Sequence, residues 1–229
     1  MPQYFAGLDL GQMNDYSALS IALREDNEPA YKVMYCSRFP LGTTYPEVAR
    51  LTQNILRTLP YSVSFAVDCT GVGRGVVDIF HEMGVDPIRI TIVGNITQPV
   101  YEGYEWRVSK RDLIGSLQVV IQQRRIRFAG GLDIATILDE LSHYEVKISE
   151  TGHDSYNARG SNKHDDMVLA LACMVYPGER MRSNVPLEYA GGCSGTYDNR
   201  SSRRHLKTVW AQPDEPQQDG GLPGISPWG

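Results

Sequence analysis

Three short apolar segments open the chain. Residues 4–10 are almost wholly apolar, whereas polar and apolar positions alternate over residues 17–24 and 30–38. Alternation with a period of two is typical of strands, and the connections between these segments are short and rich in Gly, Asn, Asp and Pro. The pattern therefore predicts an antiparallel meander of three strands.

The pattern then changes to helices that alternate with strands. Apolar residues recur at helical spacing in four segments, which cover residues 45–59, 74–83, 109–125 and 133–144. Strand-like segments separate them, namely residues 62–68, PIRITIVG and IRFAG. Ser109 is the expected N-cap of the third helix. Strand and helix in alternation predict parallel pairing with right-handed crossovers, and hence an α/β fold.

The last regular elements are a hairpin and an apolar helix. Residues 144–158 have the pattern of a hairpin that turns near residues 151–154. The helix is expected to run from residue 165 to 175 and to stop at Pro177 and Gly178. Residues 178–229 are rich in Gly, Pro, Ser and Gln and have no sustained periodicity. We therefore expect one domain over residues 1–177 and a mostly irregular tail over residues 178–229.

Composition fits an ordinary globular protein. The chain of 229 residues is 41% hydrophobic and 21% charged, and no apolar run approaches the ~18 residues of a membrane helix. The start of the chain lacks the pattern of a signal peptide, and the four cysteines form no CxxC pair. These features predict a cytoplasmic protein with free thiols and no membrane association.

Acidic residues stand where strands end and where a helix begins. Asp9 closes the strand in YFAGLDLG, Asp68 closes that in SVSFAVDCTG, and Asp165 and Asp166 open the helix in KHDDMVLALACM. A carboxylate at a strand end between core positions is unfavourable unless a partner or a ligand compensates its charge. Three converging acids would make a site for hard divalent cations, and two such ions ~4 Å apart can cleave a phosphodiester.

Each acid also has a simpler interpretation. Asp9 would be a solvated residue at a strand exit, Asp68 would cap a helix, and the helix dipole alone favours an acid at position 165 or 166. The glycines after Asp68, in GVGRG, could instead cradle a phosphate. Adjacent helical residues point ~100° apart, so only one of Asp165 and Asp166 is expected to face a metal directly. The sequence does not decide which one.

Basic residues near these acids are candidates for nucleic-acid contacts. His164 directly precedes the acidic pair and could contact a phosphate or a metal. Lys163 lies beside it, while Lys110 and Arg111 lie near the start of a predicted helix. We expect these four side chains to contact a DNA backbone. The net charge of −5 does not exclude this, because the acids of a metal site count as negative until the metal binds.

Four segments resemble the RNase H-like (retroviral integrase) superfamily, and more narrowly the C-terminal nuclease domain of phage large terminase subunits. They are FAGLDLGQMNDYSALSI, FAVDCTGVGRGVVDIF, SKRDLIGSLQVVIQQRRIRF and YNARGSNKHDDMVLALA. The resemblance implies an RNase H-like α/β fold, in which helices flank a central mixed sheet of five or more strands and a β-hairpin is added. It further implies that Asp9, Asp68 and Asp166 bind two Mg²⁺ or Mn²⁺ ions, with Asp165 as a neighbour or substitute.

The same resemblance implies a function and partners. A nuclease of this type cleaves double-stranded DNA, cutting concatemeric phage genomes in the cytoplasm of the host cell. Its partners would be the terminase ATPase motor, the small terminase subunit and the portal. The chain contains no GxxxxGK[ST] loop, so the resemblance covers the nuclease and not the motor.

Other functions stay open at this point. In an actin-like or compact sugar-kinase-type phosphotransferase, GLDLG and DCTGVG would grip nucleotide phosphates, but that interpretation leaves the HDD helix unexplained. A Holliday-junction resolvase would share the metal chemistry but needs a dimer. A catalytically inactive DNA-binding or assembly module is the last alternative, and the presence of acids at all three positions argues against it.

Overall fold

A computed structural model describes residues 1–11, 15–71, 73–94, 96–148, 154–158 and 164–184. The main sheet has eight strands, β1 (Gln3–Asp9), β2 (Ala18–Arg24), β3 (Tyr31–Arg38), β4 (Val63–Asp68), β5 (Ile88–Ile92), β6 (Val100–Glu102), β7 (Glu105–Val108) and β8 (Ile126–Phe128). The helices are α1 (Tyr45–Arg57), α2 (Gly73–Glu82), α3 (Lys110–Gln122), α4 (Ile134–His143) and α5 (Asp166–Asn184). A separate two-stranded sheet pairs β9 (Tyr144–Ile148) with β10 (Asp154–Ala158).

The topology of the main sheet is mixed. Its strand order is β6-β7-β5-β4-β1-β2-β3-β8, with β1, β2 and β3 antiparallel. Strand β4 runs parallel to β1, and β5 runs parallel to β4. The predicted meander, the parallel pairing, the sheet of five or more strands and the added hairpin are thus confirmed.

Strands β6 and β7 were not predicted from the sequence. Strand β6 has three residues and β7 has four, which is too short for alternation to stand out. Tertiary contacts hold them in place, because β7 pairs with β5 and Trp106 packs against Tyr101 and Tyr176. These two strands extend the sheet on the side of β5.

Alternation along β1 separates two cores. Tyr4, Ala6 and Leu8 pack on one face with residues of α1 and α2. Phe5 faces the other side, where α3, α4 and α5 cover the sheet. The other odd-numbered residues of β1, including Asp9, therefore point toward α5.

Helix α5 lies unusually close to β1 because Gly7 has no side chain. A Cβ atom built on Gly7 would lie 2.2 Å from the Ala170 carbonyl oxygen and 2.3 Å from the Met174 amide nitrogen. Ser20, on the neighbouring strand, donates a hydrogen bond of 2.8 Å to the same Ala170 carbonyl. Together these contacts seat α5 directly on the centre of the sheet.

The predicted end of the last helix was wrong, because α5 continues through Pro177 to Asn184. A proline inside a helix removes a hydrogen bond and costs about 3 kcal/mol, so tertiary contacts must hold the final turns. Glu179 accepts hydrogen bonds of 2.9 Å from both the Tyr31 hydroxyl and the Arg125 guanidinium. Arg180 pairs with Asp112, at the start of α3.

The division into a domain and a tail stays a prediction. Residues Met1–Asn184 form one compact unit, and residues 185–229 lie outside the described residues. Cys36, Cys69 and Cys173 are free, as predicted, and buried, whereas Cys193 lies outside the described residues. In the described part of the chain, no helix is both long and apolar enough to cross a membrane.

Candidate metal centre

Asp9 and Asp68 lie side by side at the carboxyl ends of adjacent strands. Strands β1 and β4 are parallel, and Leu8 is the register partner of Val67, so the next residue on each strand is an aspartate. Both carboxylates are buried, each residue being 7% exposed. Alternation directs both toward the face that α5 covers. The sequence prediction that these two strand ends meet at one edge is therefore confirmed.

The start of α5 brings Asp166 to the same edge. Glu140 of α4 fixes this end of the helix, since its Oε2 accepts hydrogen bonds from the amides of Met167 (3.0 Å) and Val168 (3.2 Å). Arg38 pairs with Glu140, and its Nε lies 3.2 Å from Asp166 Oδ2. Glu140 was not among the residues predicted from the sequence. In the sequence, Glu140 could have been recognised as a charged residue on the apolar face of its helix, three positions after the core residue Ile137.

The carboxylates interact strongly with each other. The pKa of Asp9 is raised well above its ordinary value, first by burial and then by the charges of Asp68 and Asp166. Burial also raises the pKa of Asp68, although hydrogen bonds from Thr70 act in the opposite direction. Burial and the charge of Asp15 raise the pKa of Asp166 to about 8. Full ionisation of the cluster is therefore unfavourable in the absence of a cation.

The adjacent acids of the HDD segment point to different partners. Asp166 is 1% exposed and faces the acidic cluster. Asp165 is half-buried, and its Oδ2 accepts a hydrogen bond of 3.0 Å from Lys110 Nζ. Of the two residues that the sequence did not rank, Asp166 is the one whose carboxylate is sequestered in the cluster.

Asp15 is a further acid near the cluster, and it was not predicted from the sequence. It is exposed, in the connection between β1 and β2, and its Oδ1 lies 3.2 Å from His164 Nδ1. That nitrogen lies 3.7 Å from Asp166 Oδ2. One ligand atom from each of these three residues fits within a mutual distance of 4.8 Å. The signal in the sequence was an acid six positions after Asp9, in the turn GQMNDYS.

Of the four basic residues predicted to contact DNA, the structure describes Lys110, Arg111 and His164. Lys110 lies at the edge of the cluster through its bond to Asp165, and Arg111 is exposed on the same first turn of α3. The side chain of Ser109 accepts a hydrogen bond of 3.0 Å from the amide of Asp112, as expected for an N-cap. Lys163 lies outside the described residues. Contacts of these residues with DNA stay predictions.

The residues present fit a hard divalent cation. The cluster offers carboxylate oxygens, which are the ligands that Mg²⁺ and Mn²⁺ prefer. Arg38 Nε lies 3.2 Å from the buried Oδ2 atom of Asp166, but among the described residues this oxygen accepts no aligned hydrogen bond. A buried carboxylate oxygen without such a bond is unfavourable, and a cation would compensate it.

Removal of the Glu140 carboxylate is expected to destabilise the start of α5. Glu140→Ala leaves the amides of Met167 and Val168 without their acceptor and leaves Arg38 with one acidic partner fewer. We expect a loss of about 1–3 kcal/mol in the free energy of unfolding, measured by urea denaturation. Glu140→Gln keeps an acceptor oxygen and should lose less. An alanine variant as stable as the unmodified protein would contradict this role.

The metal-free protein is expected to lose stability as the pH rises. The pKa of Asp166 is about 8 in the folded chain, above its ordinary value of 3.8, so the folded state keeps a proton that the unfolded state releases. The stabilisation is complete below about pH 4 and is lost as the pH passes through 8. In EDTA, the melting temperature of the unmodified protein should therefore fall relative to that of Asp166→Asn between pH 5 and pH 8.5. A constant difference across this range would contradict the assignment.

No family model matches the sequence, and no curated protein matches it. Solved structures do match. The large terminase nuclease from thermophilic phage G20c with bound magnesium is 22% identical, with a TM-score of 0.57 over 76% of this chain and 81% of that chain. The g2p large terminase nuclease domain from bacteriophage SPP1 with bound Mn is 11% identical, with a TM-score of 0.50 over 77% of this chain and 86% of that chain.

A whole terminase also matches. The HK97 bacteriophage large terminase is 15% identical, with a TM-score of 0.52, and the match spans 76% of this chain but only 39% of that one. All three similarities lie in the range where the fold, and not the activity, is established. The chain therefore has the RNase H-like α/β fold of large terminase nuclease domains.

Proposed function

We propose that this protein is a metal-dependent endonuclease that cleaves double-stranded DNA. The observation that carries the proposal is the convergence of three buried carboxylates, Asp9, Asp68 and Asp166, on one edge of the sheet. Structures of similar fold include terminase nucleases with bound magnesium or manganese, which supports the same class of cation here. The geometry and the fold thus point to the same chemistry.

The proposed catalytic residues are Asp9, Asp68 and Asp166, with Asp165 at the edge of the cluster. They would hold two Mg²⁺ or Mn²⁺ ions, which when bound activate a water molecule and stabilise the leaving oxygen. Asp68 is oriented by the amide of Thr70, which donates a hydrogen bond of 2.8 Å to its Oδ1. Asp166 is held at the end of a helix that packs on the sheet. The carboxylates are therefore positioned before any substrate arrives.

Basic groups beside the cluster are the proposed DNA contacts. Lys110 and Arg111 occupy the first turn of α3, and Lys110 reaches the cluster through Asp165. The side chain of His164 is 37% exposed, and its Nδ1 lies 3.7 Å from Asp166 Oδ2. A phosphate backbone that approaches this edge would meet their positive or hydrogen-bonding groups, and Lys163 is included by its position in the sequence.

The proposed biological setting is the packaging of a phage genome. In it, the nuclease cuts concatemeric DNA in the cytoplasm of the host cell. The proposed partners are the terminase ATPase motor, the small terminase subunit and the portal. Support comes from the fold shared with terminase nucleases and from the match to part of the whole HK97 terminase.

Cleavage of plasmid DNA by the purified chain tests the proposal. We expect nicked and linear products with Mg²⁺ or Mn²⁺ and none with EDTA. A lack of cleavage with either metal, together with measurable ATP binding, would favour the phosphotransferase alternative. Preferential cleavage of a four-way junction over a plasmid would favour the resolvase alternative. The nuclease is the better explanation at present because it uses Asp166, which the phosphotransferase interpretation leaves unexplained.

A further inference from the structure

We propose that Arg38 is a positioning residue, which holds the Asp166 carboxylate where the proposed reaction needs it and is itself fixed by Glu140. This role rests on the proposed function and deepens it, because Asp166 belongs to the proposed catalytic cluster. It gives Arg38 an effect on the cleavage rate that requires no contact with DNA or with a metal ion.

Arg38 lies in the same row of the sheet as the first acid of the cluster. It is the last residue of β3, its register partner on β2 is Ala18, and the partner of Ala18 on β1 is Asp9. Residues paired across a sheet point to the same face, so Arg38 and Asp9 both extend toward the side that α5 covers. Two strand spacings separate them by about 10 Å, and only the small side chain of Ala18 stands between.

The Arg38 guanidinium bridges two buried carboxylates. Its Nε lies 3.2 Å from Asp166 Oδ2, and its Nη2 donates a hydrogen bond to Glu140 Oε1. The side chains of Asp166 and Glu140 are only 2% and 4% exposed. Attraction between opposite charges is stronger in such surroundings than in water. The contact with Asp166 is an ion pair without the alignment of a hydrogen bond, so Arg38 acts on this carboxylate through its charge.

Two further contacts hold the arginine itself in place. Glu140 Oε2 accepts hydrogen bonds from two amides in the first turn of α5, so the acid that binds Arg38 is tied to the helix that carries Asp166. The Arg38 guanidinium also lies over the Tyr16 ring, 4.9 Å from its centroid, which is a favourable cation–π arrangement. An arginine restrained on both sides can in turn restrain Asp166.

The restraint matters because a carboxylate that binds a metal has to be held in one orientation. An ion pair to one oxygen restricts rotation of the group and thereby fixes the direction of the other oxygen. Residues that hold metal ligands in this way typically contribute about 10–100-fold to metal affinity or activity. Asp9 and Asp68 end strands of the central sheet, whereas Asp166 begins a helix. Asp166 is therefore the acid whose position depends most on a side chain from another element.

Arg125 provides a matched control at the other end of α5. Its Nη1 donates a hydrogen bond of 2.9 Å to Glu179 Oε1, and its side chain is 15% exposed, against 23% for Arg38. It directly precedes β8, whose first residue pairs with the first residue of β3, so it lies at the edge of the sheet opposite Asp9. A loss seen in variants of both arginines would come from a general weakening of α5.

Binding of Mg²⁺ to the intact chain, without DNA, is the first test. A cation that binds the folded protein raises its melting temperature in proportion to the logarithm of its concentration. Arg38→Ala should need at least about tenfold more Mg²⁺ than the unmodified protein for the same rise. Arg125→Ala should melt at a lower temperature but respond to the same Mg²⁺ concentration as the unmodified protein. An equal requirement for Mg²⁺ in the two variants would overturn the proposal.

The kinetics of plasmid cleavage separate positioning from contact with DNA. Arg38→Ala should lower kcat at least about tenfold and change KM for DNA less than about twofold. Guanidinium ion, at a concentration too low to unfold the protein, should restore part of the lost cleavage, whereas sodium chloride at the same concentration should not. Arg38→Lys should stay impaired, because an ammonium group lacks the planar fork that contacts both acids. A raised KM with unchanged kcat, or full cleavage by Arg38→Lys, would contradict the proposed role.

The positioning role and the nuclease function can fail separately. If the unmodified protein cleaves DNA but the two alanine variants need equal Mg²⁺, the role of Arg38 is wrong and the nuclease stands. If no DNA is cleaved but Arg38→Ala alone needs more Mg²⁺, the reverse holds. Circular dichroism checks that Arg38→Ala is folded. If it is not, Arg38→Lys, which keeps the charge, replaces it in both tests with the same expected direction.

Discussion

Asp68→Asn is expected to abolish DNA cleavage while leaving the fold intact. The substitution removes one carboxylate charge from the proposed metal-binding cluster. It retains an oxygen that can accept the hydrogen bond from the Thr70 amide. A metal ion contributes several kcal/mol of charge stabilisation in the transition state, and each 1.36 kcal/mol corresponds to a tenfold change in rate. We therefore expect a loss of at least about a thousandfold in the rate of plasmid cleavage with Mg²⁺.

Although Asp68→Asn should lose activity, it should be at least as stable as the unmodified protein. Asp68 and Asp9 are buried side by side, and the charge of Asp68 raises the pKa of Asp9. Removal of one charge relieves this repulsion, so in EDTA the variant should melt at the same temperature as the unmodified protein or at a higher one. A large loss of stability would mean that lost activity reflects unfolding.

Asp133→Asn is the matched control. Asp133 also accepts a hydrogen bond from a downstream amide, that of Thr136 at 3.1 Å, but it lies at the start of α4. The same chemical change there should leave cleavage unaffected. If Asp68→Asn cleaves at the rate of Asp133→Asn, the proposed role of Asp68 in catalysis is wrong.

Gly7→Ala is expected to cause a large loss of stability. The added Cβ would lie 2.2 Å from the Ala170 carbonyl oxygen and 2.3 Å from the Met174 amide nitrogen. Both are backbone atoms of α5, so no side-chain rotation can relieve the overlap. Overpacking of this kind costs typically 1–3 kcal/mol, and we expect about 3 kcal/mol, or roughly 6–12 °C in melting temperature.

The same substitution should also reduce cleavage. Gly7 lies two residues before Asp9, and α5 begins at Asp166. A helix displaced from β1 would carry Asp166 away from Asp9, and small displacements of positioned groups lower rates strongly. We expect a fall in cleavage at a temperature where circular dichroism shows the variant to be folded.

Gly115→Ala separates this effect from the general consequences of replacing glycine. Gly115 lies within α3, and a Cβ atom built there has no neighbour within 4 Å. Alanine in place of glycine inside a helix should stabilise the protein by about 1 kcal/mol. Opposite signs for the two variants are the expected result. Equal effects would show that α5 does not depend on the missing side chain of Gly7.

Part of the fold follows from local pattern alone. Strand β4 is recognisable because the residues that precede Asp68 are almost all apolar, and the alternation with helices implies that β4 is parallel to its neighbours. Helix α3 is recognisable from its apolar face and from Ser109. Strands β6 and β7 escape the same analysis because three or four residues carry too little periodicity.

Local sequence pattern likewise reveals only some residues of the candidate site. Asp9 and Asp68 can be found from the sequence because each ends a buried strand, and parallel strands bring such ends together. Glu140 and Asp15 cannot be found in this way. Their importance comes from contacts with α5 and His164, which are distant in the sequence.

The sequence by itself determined the order of strands and helices and the placement of carboxylates at their ends, because both depend on periodicity within short segments. It did not determine which of Asp165 and Asp166 faces the cluster, nor where α5 ends. The tertiary structure decided both. Contact of α5 with β1 at Gly7 sets the rotation of the helix, and Glu179 and Arg180 hold its last turns beyond Pro177. These are energies of contact between distant residues, which local pattern does not contain.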